Sequence, residues 1–538
     1  MIRTSVAAAL AFLCFGFSAA DALGAATCDQ TPALSGISSD GWGIDSHNSR
    51  FQADSRINAA NVADLELAWA FGLDDSASPH SYPLVTDDTV FIGAESGNLY
   101  ALDRATGCTR WVFSADGDIR TAIVSGRVNV EGEEKTLLFF GTFGARAYAV
   151  DASSGELVWE RLMDEHRFAV LTGTPIFHDG RLYVPVSAYE VIAAVAPVYG
   201  CCSFRGSVAA LDAGNGNEIW RRYTIDQEAE VTDTRWLFID EKGPSGAPVW
   251  QAPAVDVARN ALYFATGENY SDPATDTSDA VFALNLSDGT VRWHRQFTEG
   301  DAWNAACGAG WMDANCPDAD GPDYDFGAPP ILVRTALGQE LLIAGQKSSM
   351  VYAMDPDTGE LVWERRVGRG GKLGGIHWGM AVNEALGLLY VPVSDRGRAG
   401  RHEGDNAPAR GLHALSIEDG QVRWSVAEDG NCEGREGCFP GISAAILATE
   451  DLVIGGGLDG SLNAYAAESG ERLWRFDTWQ SFDAVNGLET EGGALDVHGP
   501  LIVGDMLFIT SGYQSFGQKA GNAFLAFKLP AARTLGGG

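Results

Sequence analysis

One eleven-residue pattern does most to limit what this chain can fold into. It reads Ala, an apolar residue, Asp or a substitute, three residues, Gly, three residues, Trp, and it occurs seven times. The copies are Ala101–Trp111, Ala149–Trp159, Ala210–Trp220, Ala283–Trp293, Ala353–Trp363, Ala414–Trp424 and Ala464–Trp474. Their glycines (107, 155, 216, 289, 359, 420 and 470) lie 48 to 73 residues apart. A period near 50 with insertions marks a repeat architecture rather than a string of domains. Locally the pattern describes a β-hairpin. The apolar pair ends one strand, Asp-x-x-x-Gly turns the chain, and Trp begins the next strand. Between copies lie further short strand signals such as Arg181-LYVPV and Ala261-LYFAT. The expected fold is therefore all-β, a propeller of four-stranded, W-shaped blades.

Seven motifs do not fix seven blades. Residues 42–71 end in a strand without a turn of its own, and Gly521-NAFLAFKL offers a matching strand at the other end. Joined, they predict an eighth blade closed by both termini, which leaves no open sheet edge. The repeated tryptophans are expected to pack blades together, and they define fold rather than chemistry.

Composition narrows the function. With 37 basic and 72 acidic residues the formal charge is 37 − 72 = −35. Such a chain would repel phosphates, so nucleic acid is not an expected partner. Arg3, the apolar run 5–17 and Ser18-Ala19-Ala20 read as a signal peptide over residues 1–20, with one propeller domain over 21–538. The apolar run is short for a membrane span, and no later run is long enough, so no stable membrane insertion is expected. The location implied is periplasmic or secreted. Without Cys14 eight cysteines remain, an even number that suits disulfides in an exported protein. Cys307–Cys316, Cys432–Cys438 and the adjacent Cys201–Cys202 are close pairs, which leaves Cys28 with Cys108. No C-x-x-C-H occurs in the sequence, so no covalent c-type haem is expected.

The repeats resemble those of quinoprotein alcohol dehydrogenases, which use pyrroloquinoline quinone (PQQ), across nearly all of residues 30–530. Trp42-GIDSHNSRFQ, Cys201-CSFRGSVAALD, Gly321-PDYDFGAPPIL and Val367-GRGGKLGGIHWG make the chain similar to the polyvinyl-alcohol-dehydrogenase-like branch. The resemblance implies an alcohol substrate, a calcium or lanthanide ion, and a soluble cytochrome c or similar electron acceptor on a separate molecule.

The resemblance also implies site residues. Glu190 matches a metal-binding glutamate. Either Glu268 or Asn269, after Gly267, stands where the family has a metal-binding asparagine. Asp323 matches the catalytic base, and Asp325 matches an extra aspartate linked to lanthanide use. If the segment were a strand, these two alternating carboxylates would face the same side, and hard oxygen ligands suit such ions. Asp301 is a weaker competitor for base. Lys347 stands where relatives carry a cation against the quinone oxygens, and Trp250, out of register with the blade tryptophans, matches the one stacked under the quinone. The Cys201–Cys202 ring is expected to cover the other face. Arg120, Thr172, Thr174, His377 and Trp378 are expected cofactor or substrate contacts. Two other functions fit the repeats: a non-catalytic envelope scaffold, and a quinoprotein acting on sugars or aldehydes.

Overall fold

The structure, a computed structural model, describes residues 28, 31–37, 41–235, 238–396 and 410–530. The segment read as a signal peptide lies outside the described residues. Eight antiparallel sheets form eight blades. Seven are consecutive four-stranded meanders, one of them carrying the extra short strand Ala169–Val170. The eighth combines Leu501–Val503, Met506–Ser511 and Ala523–Lys528 with the N-terminal strand Glu66–Gly72. No helix among the described residues is long and apolar enough to cross a membrane.

The repeat explains itself in this geometry. Each motif tryptophan sits on the outermost strand of its blade, opposite the motif alanine, as Ala101 faces Trp111 and Ala464 faces Trp474. The motif glycines have φ between +67° and +76°, a region that costs L side chains energy. A Cβ on any of them would also fall 2.5–2.8 Å from the tryptophan of the preceding blade. Gly155 meets Trp111 in this way, and Gly470 meets Trp424. So the glycine turns its own hairpin and leaves space for its neighbour's indole. In several blades that indole N–H also donates to the neighbouring turn, as from Trp159 to the Ala213 carbonyl at 2.9 Å and from Trp363 to Ile417 at 2.9 Å.

The eighth copy of the motif is split between the two termini. Trp69 lies opposite Ala526, packs on Gly107 and donates to the Arg104 carbonyl at 3.0 Å. No hairpin joins Trp69 to Ala526, since their two strands lie far apart in the sequence.

Only Glu66–Gly72 of the stretch 42–71 joins that blade. Residues 46–52 instead run past the innermost strands of four others. Ser46 accepts from Val255, His47 from Leu332 and Ser49 from Val382, while Gln52 donates to Ala448. Asn48 Nδ2 reaches the carbonyls of Ala252, Pro253 and Pro330. Arg50, fully buried, spends its donors on the carbonyls of Trp42, Ile446 and His498. The segment is a plug that ties blades from different parts of the chain together.

All four expected cysteine pairs are disulfide-bonded.

Candidate active site

The loops that lead into and out of the inner strands surround a cavity of about 860 Å³. Its volume lies in the range of small-molecule and cofactor sites. Trp250 lies in the loop between Ser245–Gly246 and Ala254–Asp256, and its ring forms part of the wall. The ring stands edge-on to Trp378, with centroids 5.4 Å apart and planes at 83°. A Cβ at Gly327 would lie 2.3 Å from the Trp250 ring, so only glycine permits this packing.

Against Trp250 lies a charged cluster. Lys347 is in the turn after the strand Glu340–Gly345, and its Nζ is 5.6 Å from the Trp250 ring centroid. That ammonium donates to Asp323 Oδ1 at 2.8 Å and to Asp325 Oδ2 at 2.7 Å. The Glu268 amide donates to Asp325 Oδ1 at 2.9 Å. Oxygens of Glu268, Asp323 and Asp325 all lie within 4.8 Å of one another, and all three residues are buried.

The two aspartates do not converge by strand alternation. Residues 321–330 form no strand, and Asp323 takes a left-handed φ of +60°. The Asp301 carboxylate fixes this bend, accepting from the amides of Asp323 at 3.2 Å and Tyr324 at 2.9 Å. Asp301, expected as a rival base, does not line the cavity and braces Asp323 from behind. Asp279, fully buried, lies next to Asp301.

Electrostatics follow from crowding acids around one cation. Burial pushes Asp323 up to about 8, with Lys347 pulling down and Asp325 pushing further up. Burial and the neighbouring Asp325 carry Glu268 well above the usual carboxylate range. For Asp325 burial also acts upward, but Lys347 and the hydrogen bonds around Glu268 outweigh it and hold the carboxyl low. Buried negative charge of this density is relieved by a cation, and oxygen ligands suit a hard one. The donor set therefore fits calcium or a lanthanide.

The expected metal ligands are divided by the fold. Glu268 belongs to the cluster and Asn269 does not. Asn269 gives Nδ2 to the Ser245 carbonyl at 2.9 Å and accepts from the Thr275 amide at 2.7 Å, so its side chain shapes its own loop. Glu190 is buried but absent from the cavity wall and from the cluster. Its carboxylate is used by the amides of Ser203 and Phe204, by Tyr199 Oη and by His166. Glu190 thus stands apart from the Glu268–Asp323–Asp325 cluster, held by its own loop and by His166.

The expected cofactor contacts divide similarly. Arg120, Thr172, His377 and Trp378 line the cavity. The Arg120 guanidinium carbon is 5.6 Å from the Trp378 ring centroid. Thr172 Oγ1 is buried without a hydrogen-bond partner, a donor left for a ligand. Burial holds His377 well below its ordinary value, so the ring is neutral, and its Nδ1 lies 3.0 Å from Ser443 Oγ. Thr174 is not in the wall, and its hydroxyl accepts from the Ala122 amide at 3.0 Å. Nor is the Cys201–Cys202 pair, which is buried in an apolar cluster with Phe204 and Tyr270; Cys307 lines the cavity instead. The pair therefore sits directly behind the wall, packed with Ala188 and Tyr270, which do line the cavity.

Several wall residues carry no signal in the repeat pattern. Lys372 lies over Trp303, with Nζ 4.1 Å from the ring centroid. His80, Glu95 and Asp118 form a second polar group in the wall, beside Arg120. A broad aromatic face, an unpaired buried hydroxyl, a guanidinium and room for a planar ring system together fit PQQ, whose carboxylates and quinone need such partners.

The architecture and this wall define the quinoprotein class of propeller. The family model for the glucose/ethanol/alcohol dehydrogenase β-propeller domain matches residues 40–375, and that for outer membrane protein assembly factor BamB matches 347–510. Polyvinylalcohol dehydrogenase of Sphingopyxis sp. (strain 113P3) is 36% identical over 487 residues, covering 89% of this chain and 73% of that protein. The protein of the same name from Pseudomonas sp. is 34% identical over 503 residues, covering 91% and 76%. Europium-containing methanol dehydrogenase superposes with a TM-score of 0.66 at 16% identity, covering 92% of this chain and 98% of the other, a likeness of fold. The chain belongs to the PQQ-dependent quinoprotein alcohol dehydrogenase family. It is an oxidoreductase that acts on an alcohol.

Proposed function

We propose that this dehydrogenase oxidises a secondary alcohol, bulky or polymeric, to a ketone and passes the electrons to a separate cytochrome-type acceptor. The observation that carries the reading is the Lys347 ammonium held between Asp323 and Asp325 against the face of Trp250. Relatives named for polyvinyl alcohol support the substrate class, as does the apolar stretch of wall at Val191, Ile192, Leu373 and Phe516.

When bound, PQQ supplies the two-electron acceptor and a hard cation the Lewis acid. Glu268, Asp323 and Asp325 would hold that cation, calcium by default and a lanthanide if the carboxylate count decides. Trp250 presents a flat polarisable face, Thr172 a hydroxyl donor and Arg120 a positive charge for carboxylates. His377 and Trp378 complete the wall. Asp323 takes the proton from the alcohol hydroxyl, as a general base that Asp301 keeps in position. Lys347 holds a positive charge where negative charge develops on oxygen. Thr174 acts one step back, through the Ala122 amide.

Four disulfides suit an oxidising compartment, so the protein is read as periplasmic or secreted after removal of residues 1–20.

The test is reconstitution. Metal-depleted protein is given PQQ with calcium or lanthanum, then assayed with a dye acceptor on secondary alcohols, primary alcohols, sugars and aldehydes. Turnover of secondary alcohols that needs both PQQ and an ion is the expected result. Preference for a sugar or an aldehyde would overturn the substrate class.

A further inference from the structure

The cavity contains a second group of potential ligands, separate from the Glu268–Asp323–Asp325 cluster. His80, Glu95 and Asp118 bring one donor atom each to within 4.8 Å of the others. His80 Nδ1 lies 3.5 Å from Asp118 Oδ2 and 3.9 Å from Glu95 Oε1. Between the two groups lies a row of side chains. Arg120 sits beside this one, Trp378 is 5.6 Å from Arg120, Trp250 is 5.4 Å from Trp378, and Lys347 is 5.6 Å from Trp250.

The imidazole is the informative member. His80 is 5% exposed, and neither ring nitrogen makes a hydrogen bond. A buried imidazole left without partners is costly. Its ring is held edge-on by Tyr513 at 5.4 Å, which keeps Nδ1 toward the two carboxylates. Glu95 is oriented as well, because Oε2 accepts from the amides of Ala77 and Ser78 while Oε1 stays toward His80. Asp118 Oδ1 is buried and makes no hydrogen bond.

We propose that His80, Glu95 and Asp118 form a second cation site in this cavity, for a borderline divalent transition-metal ion such as Zn²⁺, Mn²⁺ or Co²⁺. Nitrogen and carboxylate ligands bind such ions at about 2.0–2.2 Å, so two ligand atoms on one ion stand about 3–4 Å apart. The observed spacings of 3.5 and 3.9 Å fit with little movement. Charge agrees. With a neutral imidazole, two carboxylates and the Arg120 guanidinium, the group carries one uncompensated negative charge before an ion enters. One imidazole with two carboxylates is a borderline donor set, whereas the all-oxygen cluster at Asp323 is a hard one. Three protein ligands leave coordination positions open to the cavity, where an anionic oxygen of a bound molecule can complete the shell.

The test uses the whole chain without PQQ. Metal-depleted protein, first saturated with calcium to fill the hard site, is titrated with Co²⁺ and followed by its visible d–d bands. One equivalent is expected to bind, and His80→Ala and Asp118→Asn are each expected to weaken it at least tenfold, with calcium affinity unchanged. A crystal of the wild-type protein soaked in Co²⁺ should show an anomalous peak among His80, Glu95 and Asp118, which answers the question even if the variants fold poorly. No Co²⁺ uptake, uptake insensitive to both substitutions, or a peak elsewhere would overturn the site.

Discussion

Lys347 donates from Nζ to Asp323 Oδ1 at 2.8 Å, so the proposed base is held by the proposed electrostatic catalyst. The same ammonium reaches Asp325 at 2.7 Å. It is the cation that compensates a buried acidic cluster.

Removing it should expose that debt. Lys347→Met leaves Asp323, Asp325 and Glu268 buried without it, and breaking a buried pair costs about 3–5 kcal/mol. Denaturant unfolding of the cofactor-free variant at pH 7.5 should show a loss of that size, and added calcium should restore part of it. An unchanged unfolding midpoint would mean that the cluster does not depend on Lys347.

The acids also set a pH dependence. Asp323 is raised to about 8, and burial raises Glu268 and Asp279 as well. A raised carboxyl binds more protons folded than unfolded, so its contribution to stability falls as pH climbs toward its folded value. The buried histidines His80, His377 and His498 are lowered, and their opposing effect ends once pH passes about 6.5. Between pH 6.5 and 8 the metal-free protein should therefore lose thermal stability, and calcium should raise Tm more at pH 8 than at pH 6.5. Scanning calorimetry across that window decides the point, and a Tm that rises with pH in metal-free protein would contradict it.

Asp325 should discriminate between ions. Its carboxylate adds a third negative charge to Glu268 and Asp323, and charge count favours a trivalent ion. Asp325→Ala is expected to weaken terbium binding at least tenfold, read by luminescence sensitised through the nearby tryptophans, with a smaller loss for calcium. Equal losses would remove Asp325 from ion selection.

The fold was open to sequence reading because its glycines and tryptophans answer one packing demand seven times over. Gly155 cannot be replaced without striking Trp111, and each hairpin carries the same demand. Even the split motif of Trp69 and Ala526 follows from matching the ends of the chain. The site was only partly readable. Asp323, Asp325, Glu268, Lys347 and Trp250 come together in one cluster. Glu190, held by its own loop and by His166, and the Cys201–Cys202 pair, packed behind the wall, stand apart from them. Asn269 and Thr174 turn to backbone groups. His80, Glu95, Asp118, Trp303 and Lys372 carry no sequence signal, because they come from separate loops and share no spacing. Only the closed propeller puts them on one wall.

The most direct test of the account is Asp323→Asn, assayed for single-turnover reduction of bound PQQ by a secondary alcohol. The account predicts that PQQ is still bound and that the rate falls by about 10²–10⁴, the usual contribution of a general base. A variant that keeps PQQ and reduces it at the wild-type rate would contradict the assignment of Asp323 as the base.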